Sequence, residues 1–267
     1  MTLLGLTLGL LVGFVLGLLG GGGSILAVPV FLYVLHIETK SAIAMSLAVV
    51  GLSAFVGFLT HWRQGTVELR VAVPFGLCAM VGAFVTARLT HLVPASVQLT
   101  LFALFAFAAA IAMLRDAAKP DRAGSATANT ERARFSPKLI PQAVGVGVLT
   151  SLIGAGGGFV IVPSLVLMAN VPIKPAVGSS LLIITLNALS GFVGHIGQVP
   201  IDWPLVGSFS VTAAIGAIIG TRLLRHIPQR RVKQAFAILI LVLGAYLIAQ
   251  RTLFAPRNAQ PAQHQSS

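Results

Sequence analysis

Two histidines stand at matching places in this chain. His61 is followed three residues on by Gln64, and His195 by Gln198. Three residues place each pair on one helical face. Such a pair offers N–H donors to an anion, and histidine titrates near neutrality, so it can also carry a proton. A polar ladder precedes each pair within otherwise apolar sequence. Ser46 and Ser53 lie two turns apart on one face, and Ser180 and Asn187 repeat that spacing. Further upstream runs Gly20-Gly21-Gly22-Gly23-Ser24, leading to Val28-Pro29. Its counterpart is Gly154-Ala155-Gly156-Gly157-Gly158, leading to Val162-Pro163. Consecutive glycines break helices, and a broken helix presents unpaired backbone N–H groups and a positive dipole end to an anion.

The candidate anion contacts are therefore Gly21, Gly22, Gly23, Ser24, Gly156, Gly157, Gly158, Ser46, Ser180 and Asn187. His61, Gln64, His195 and Gln198 are gate or proton-linked candidates. Each has a plainer reading. Small residues let membrane helices approach closely, serine can bond its own helix backbone, and a histidine at a span end can anchor at the interface. Arg88 and Arg222 close the third apolar runs, where snorkelling anchors are common. Enzyme chemistry finds no support. There is no HExxH, no CxxC and no glycine run followed by Lys-Ser/Thr. The six acidic residues are scattered, and Cys78 is the lone cysteine, so no metal, cofactor, disulfide or ATP site is expected.

The elements that carry these residues belong to a membrane. The 267 residues are 56% hydrophobic and 9% charged, against about 25% charged in soluble domains. The N-terminus lacks a basic n-region, so no signal peptide is expected. The net charge of +12 is placed around apolar spans, which argues for topology signals and lipid contact rather than nucleic acid. Shifting the chain so that Gly20 falls on Gly154 aligns its two halves without a gap. Lys40 then meets Lys174, Ser46 meets Ser180, His61 meets His195, Gln64 meets Gln198, Arg88 meets Arg222 and Pro94 meets Pro228. Residues 1–114 form the first repeat, 115–138 a basic linker, 139–250 the second repeat, and 251–267 a polar tail expected to be disordered.

Each repeat holds four apolar runs: Leu3–Leu35, Ser41–Thr60, Val71–Ala87 and Val97–Leu114, then about 139–169, 175–194, 205–221 and 235–249. The last three of each set have single-span length. As one helix, Leu3–Leu35 would be about 50 Å long, against a hydrocarbon core of about 30 Å. Two pieces are expected instead, Leu3–Leu19 and Ile25–Leu35, joined at the glycines. Charge separates a crossing from a hairpin. If each broken segment crosses once, the 18 Lys and Arg residues divide 10 to 8 between the two sides; if it returns, they divide 14 to 4. The positive-inside rule favours the return. The expected fold is an all-α polytopic membrane protein. Its halves are inverted-topology repeats, each a glycine-broken helical hairpin plus three transmembrane helices, with the linker cytoplasmic and both termini outside.

The paired glycine motifs leading to Val-Pro, the duplicated unit and the basic central loop resemble the TauE/SafE family of sulfite and organosulfonate exporters, also called the toluene-sulfonate uptake permeases. The resemblance covers Leu3–Gln250, with small departures where Gly21 faces Ala155 and Ser24 faces Gly158. It implies a transporter of small sulfur-containing or carboxylate organic anions in a prokaryotic cytoplasmic membrane, with protons as a candidate coupling ion. A passive anion channel on the same scaffold is the alternative.

Overall fold

The computed structural model of the chain describes residues 3–20, 23–89, 139–153, 158–167 and 171–224, with residue 169 and scattered positions within 93–111 and 226–238. The linker 115–138 and the tail 251–267 lie outside the described residues, as does most of both fourth apolar runs.

The first repeat begins with α1 (Leu3–Leu19), which stops at the glycines. Gly20 takes φ +67°, a left-handed turn that L side chains resist. The chain then folds back so tightly that a Cβ on Gly23 would strike the Leu16 backbone. α2 (Ser24–Pro29) follows and widens into a π-helical turn over Val30–Val34. Pro29 lacks an N–H and crowds the turn before it, conditions that favour such a widening. The second repeat does the same. The bonds Leu35 N–H to Val30 O (3.1 Å) and Ile37 N–H to Phe31 O (3.0 Å) recur as Ala169 to Ser164 (3.3 Å) and Val171 to Leu165 (3.0 Å). After the first broken segment come α3 (Thr39–Arg63) and α4 (Leu69–Leu89). The second repeat supplies α5 (Ile140–Ile153), α6 (Gly158–Leu167), α7 (Ile173–His195) and α8 (Trp203–Leu224). α3, α4, α7 and α8 are long and apolar enough to cross a membrane.

Small residues bring these helices together, as expected where lipid supplies no hydrophobic drive between them. α1 packs on α8. Added Cβ atoms on Gly9, Gly13 and Gly17 would meet Thr212, Ala213 and Ala217 in turn, so the two helices run in the same direction. The symmetry mates of these contacts join α5 to α4, with Gly147 against Ala79 and Gly82 against Val144. α4 runs with α7, shown by Gly76 against Leu186, Ser190 Oγ donating to Met80 O at 3.0 Å, and Gly194 against Ala87. α3 and α7 are different. Gly191 meets Leu47, Gly51 meets Leu189 and Gly57 meets Leu181, so one number falls as the other rises. These corresponding helices of the two repeats lie antiparallel. α8 turns back from α7, its Trp203 ring edge-on to Phe192 at 6.0 Å. α8 thus runs with α3, and so does α1. The α2 segment between α1 and α3 accordingly returns toward the side from which α1 started.

Away from these seams the helices are greasy and open. Val211, Ile215, Ile219 and Leu223 form an exposed stripe on α8, as Leu77, Val81 and Val85 do on α4. A stripe at every fourth residue is one helical face, and in a membrane it faces acyl chains.

Candidate functional site

Gly20 brings the first glycine break against the second repeat. A Cβ there would lie 2.6 Å from Ser180 Oγ and 3.3 Å from both Val162 Cγ2 and Val177 Cα. One break therefore meets α7 and the broken-segment helix α6 of the other repeat, and α2 and α6 also touch. Gly23 and Ser24 are buried beside it, and Gly158 is buried at the start of α6. Gly21, Gly22, Gly156 and Gly157 lie outside the described residues.

The antiparallel α3–α7 pair forms the spine of the site. Its contacts centre near Ser53 and Asn187. Ser180 sits about 10 Å along the axis from that centre, at 1.5 Å per residue. Ser46 and Ser180 are both fully buried, and each donates to its own helix, Ser46 to Ile43 O and Ser180 to Val177 O, both at 2.8 Å. Ser53 does likewise to Val49 O at 2.5 Å. With these protons engaged, the hydroxyl oxygens face other groups as acceptors. Asn187 instead reaches across to α5, donating from Nδ2 to Thr150 Oγ1 at 2.7 Å, while Thr150 donates to Val146 O at 2.8 Å. Asn187 Oδ1 is buried without a partner.

The two histidines cap opposite ends of the spine, about 25 Å apart by the α3–α7 register. Both are buried rather than interfacial, at 2% and 1% exposure. His61 Nδ1 lies 2.7 Å from Thr66 Oγ1, and Gly178 of α7 crowds its ring. His195 Nδ1 lies 2.8 Å from Gly191 O. Nε2 of each makes no hydrogen bond of good geometry, although the Gly17 backbone is close to the His61 ring. Gln64 is half-buried, and Gln198 donates from Nε2 to Gly194 O at 2.8 Å. Trp62 and Trp203 are more than half exposed at the span ends, and the Arg88 guanidinium sits 5.6 Å from the Phe84 ring centre.

Thr150 and Ser151 near the end of α5, and Ser210 on α8, are among the buried polar residues that emerge only in the fold. Their mates in the first repeat are Leu16, Gly17 and Gly76. A comparison of the halves for places where only one is polar would have found them.

The family described as sulfite exporter TauE/SafE matches residues 5–247. A probable membrane transporter protein of Xylella fastidiosa (strain Temecula1) is 32% identical over 241 residues, covering 89% of this chain and 91% of that one. The probable membrane transporter protein YdhB of Bacillus subtilis is 27% identical, covering 89% and 96%. A probable membrane transporter protein of the archaeon Methanocaldococcus jannaschii is 24% identical, covering 92% and 96%. No solved structure matches.

Proposed function

The chain belongs to the sulfite exporter TauE/SafE family of membrane transporters, and from that premise we propose that it is a secondary transporter of small sulfur-containing or carboxylate anions, working by alternating access. The observation that carries this reading is the meeting of the Gly20 break with Ser180 and Val162 of the other repeat. Irregular backbone at membrane depth is tolerated where it is buried in protein or lines a cavity, and half-helix starts there attract anionic groups. The anion binds between the two breaks, at the starts of α2 and α6, with Ser46, Ser180 and Asn187 on the spine beside it. His61 with Gln64, and His195 with Gln198, gate opposite ends, and a proton is the coupling ion.

The repeats are inverted in the membrane. The antiparallel crossing of α3 and α7, the return of the α2 segment and the 14 to 4 division of Lys and Arg all support that arrangement. It puts the linker in the cytoplasm and both chain ends outside, in a prokaryotic cytoplasmic membrane. Rocking of one repeat against the other would then open the site to each side in turn.

Flux of labelled sulfite and sulfoacetate into proteoliposomes tests the reading. The expected result is saturable uptake, counterflow against unlabelled anion and a response to an imposed pH gradient. Non-saturating flux without counterflow would replace the transporter with a passive anion channel.

A further inference from the structure

The α3–α4 loop and the α7–α8 loop are mates in the two repeats, yet they leave their helices by different routes. The cause is the placing of one glycine. Gly65 is the fourth residue after His61, and Gly197 is the second after His195; the mate of Gly65 is Val199, and the mate of Gly197 is Arg63. In the first loop Gly65 takes φ +68°. Thr66 N–H donates to His61 O at 3.2 Å and Gly65 N–H to Trp62 O at 2.9 Å, the pair of bonds that ends a helix at a left-handed glycine. In the second loop Ile196 is already extended at ψ 130°, Gly197 takes φ +82°, and Gln198 N–H donates to His195 O at 3.0 Å. That is a type II turn, and it quits the helix earlier.

The later exit carries the first loop onto α7 of the other repeat. Thr66 Oγ1 donates its proton to His61 O at 3.1 Å and accepts from His61 Nδ1 at 2.7 Å, so the two residues clasp each other. Thr66 O lies against Gly178, where a Cβ would strike it, and the His61 ring stands 3.2 Å from the same point. One residue on, Ser179 Oγ accepts from Glu68 N–H at 2.8 Å. Ser179 is fully buried, and Glu68 O in turn accepts from the Val71 and Ala72 amides at the start of α4. Ser179 thus holds the peptide on which α4 begins. The second loop has no such seat. Gly178 and Ser179 correspond to Ala44 and Met45. A methyl stands where Gly178 admits a carbonyl, and a thioether is a weak acceptor. Asp202 turns instead to its own helix, its Oδ1 accepting from Leu205 N–H at 3.0 Å. Burial agrees: Gln64, Thr66 and Glu68 are half-buried, whereas their mates Gln198, Pro200 and Asp202 are exposed.

Resting on the transporter reading above, we propose that Ser179, with Gly178 beside it, latches the α3–α4 loop across the repeat boundary as the gate of the His61 end, and that the His195 end carries no equivalent latch. Opening at the His61 end must part Glu68 from Ser179 and lift Thr66 off Gly178. The α7–α8 loop has no matching bond to give up. Ser179 is in this sense a positioning residue, acting through the loop rather than on the anion. The inverted arrangement sets the His61 end in the cytoplasm, so the transporter rests closed on that face. Anion arriving from the cytoplasm binds only the fraction of molecules whose latch is undone, and its apparent affinity falls by that fraction. One hydrogen bond of this kind shifts such an equilibrium roughly threefold to tenfold.

Two measurements on the full-length protein test the proposal. Amide hydrogen exchange needs no substrate. Relative to intrinsic rates, the wild-type Glu68 amide should be protected about tenfold or more beyond the Asp202 amide. Ser179→Ala removes the acceptor and should lower Glu68 protection roughly threefold to tenfold. Gly178→Ala, which installs the first repeat's residue, should lift the loop and lower it likewise. Gly207→Ala, whose Cβ meets nothing within 4 Å, is the control and should change nothing. Equal protection of Glu68 and Asp202 in wild type overturns the proposal, and that comparison decides alone if neither loop variant folds. Unchanged Glu68 protection in a folded Ser179→Ala protein overturns it too. The second measurement is sulfoacetate transport from each face, in intact cells and in inverted membrane vesicles. Ser179→Ala should lower the half-saturating concentration at the cytoplasmic face roughly threefold to tenfold and leave the outer face within about twofold. An equal change at both faces, none at either, or a change at the outer face alone overturns the latch. Absence of sulfoacetate transport in wild type refutes the transporter reading instead, and the exchange result still stands for or against the docked loop.

Discussion

Gly20→Ala should be strongly destabilising although it adds a single carbon. Three effects coincide there. The residue sits at φ +67°, where a Cβ costs roughly 1–2 kcal/mol. The new Cβ would lie 2.6 Å from Ser180 Oγ, and that hydroxyl can retreat only by giving up its bond to Val177 O, worth about 1 kcal/mol. Val162 and Val177 stand at 3.3 Å on the remaining sides, so overpacking adds about 1–3 kcal/mol. The sum, about 3–6 kcal/mol, corresponds to a melting temperature lower by roughly 10–20 °C for a chain of this size. Cys78 is half-buried in α4 and is the only cysteine, so a thiol-reactive fluorogenic dye reads the melt directly. Gly145→Ala is the control. Its Cβ meets nothing within 4 Å inside α5, and the change should stabilise by about 0.5–1 kcal/mol. Adding Ser180→Ala to Gly20→Ala should relieve only the Oγ contact and leave about 2–5 kcal/mol from the backbone and the two valines. If Gly20→Ala melts with Gly145→Ala, the break does not press on α7, and the argument for a shared site loses its footing.

Further outcomes follow from the same geometry. In a Cys78→Ser background, Lys40→Cys and Lys174→Cys should label from opposite faces of the membrane; labelling from one face would refute inverted repeats. Gly13→Leu and Gly147→Leu occupy equivalent seams against Ala213 and Ala79, so both should strongly reduce the yield of folded protein, and a tolerated Gly13→Leu would contradict the α1–α8 packing. Asn187→Leu removes a cross-helix bond and should depress sulfoacetate flux at least tenfold, whereas Ser53→Ala, which loses only a bond to its own helix, should stay within about twofold. Equal effects at the two positions would deny the second repeat its special role.

Much of this architecture is legible from the residues because its causes are local. The end of α1 at Leu19 follows from the glycines, and span lengths follow from apolar runs bounded by charge. The fold-back at Gly23 matches the length argument, since a straight helix would overshoot the bilayer. The widened turns after Pro29 and Pro163 are not legible, because proline marks a disturbance without choosing between a kink and an extra residue. Ser46 and Ser180 show a second limit. Their spacing places them on one face, but whether a hydroxyl serves its own helix or a ligand depends on rotamer, which periodicity does not encode. Thr150 and Ser151 sit in a run whose first-repeat mates are Leu16 and Gly17, so a search for shared polar positions passes over them.

The pairing of α1 with α8 also sets a clock on biosynthesis. The ribosome finishes α1 at Leu19 but reaches Trp203 only 184 residues later. At about 5–20 residues per second, that is an interval of roughly 10–40 s. Through it, the glycine edge of the first helix has no mate to close on. α5 waits for nothing, because α4 is already made when it emerges. Two repeats that end as near equals are thus born unequal, and the insertion machinery must shelter the first-made helix until nearly the last one arrives.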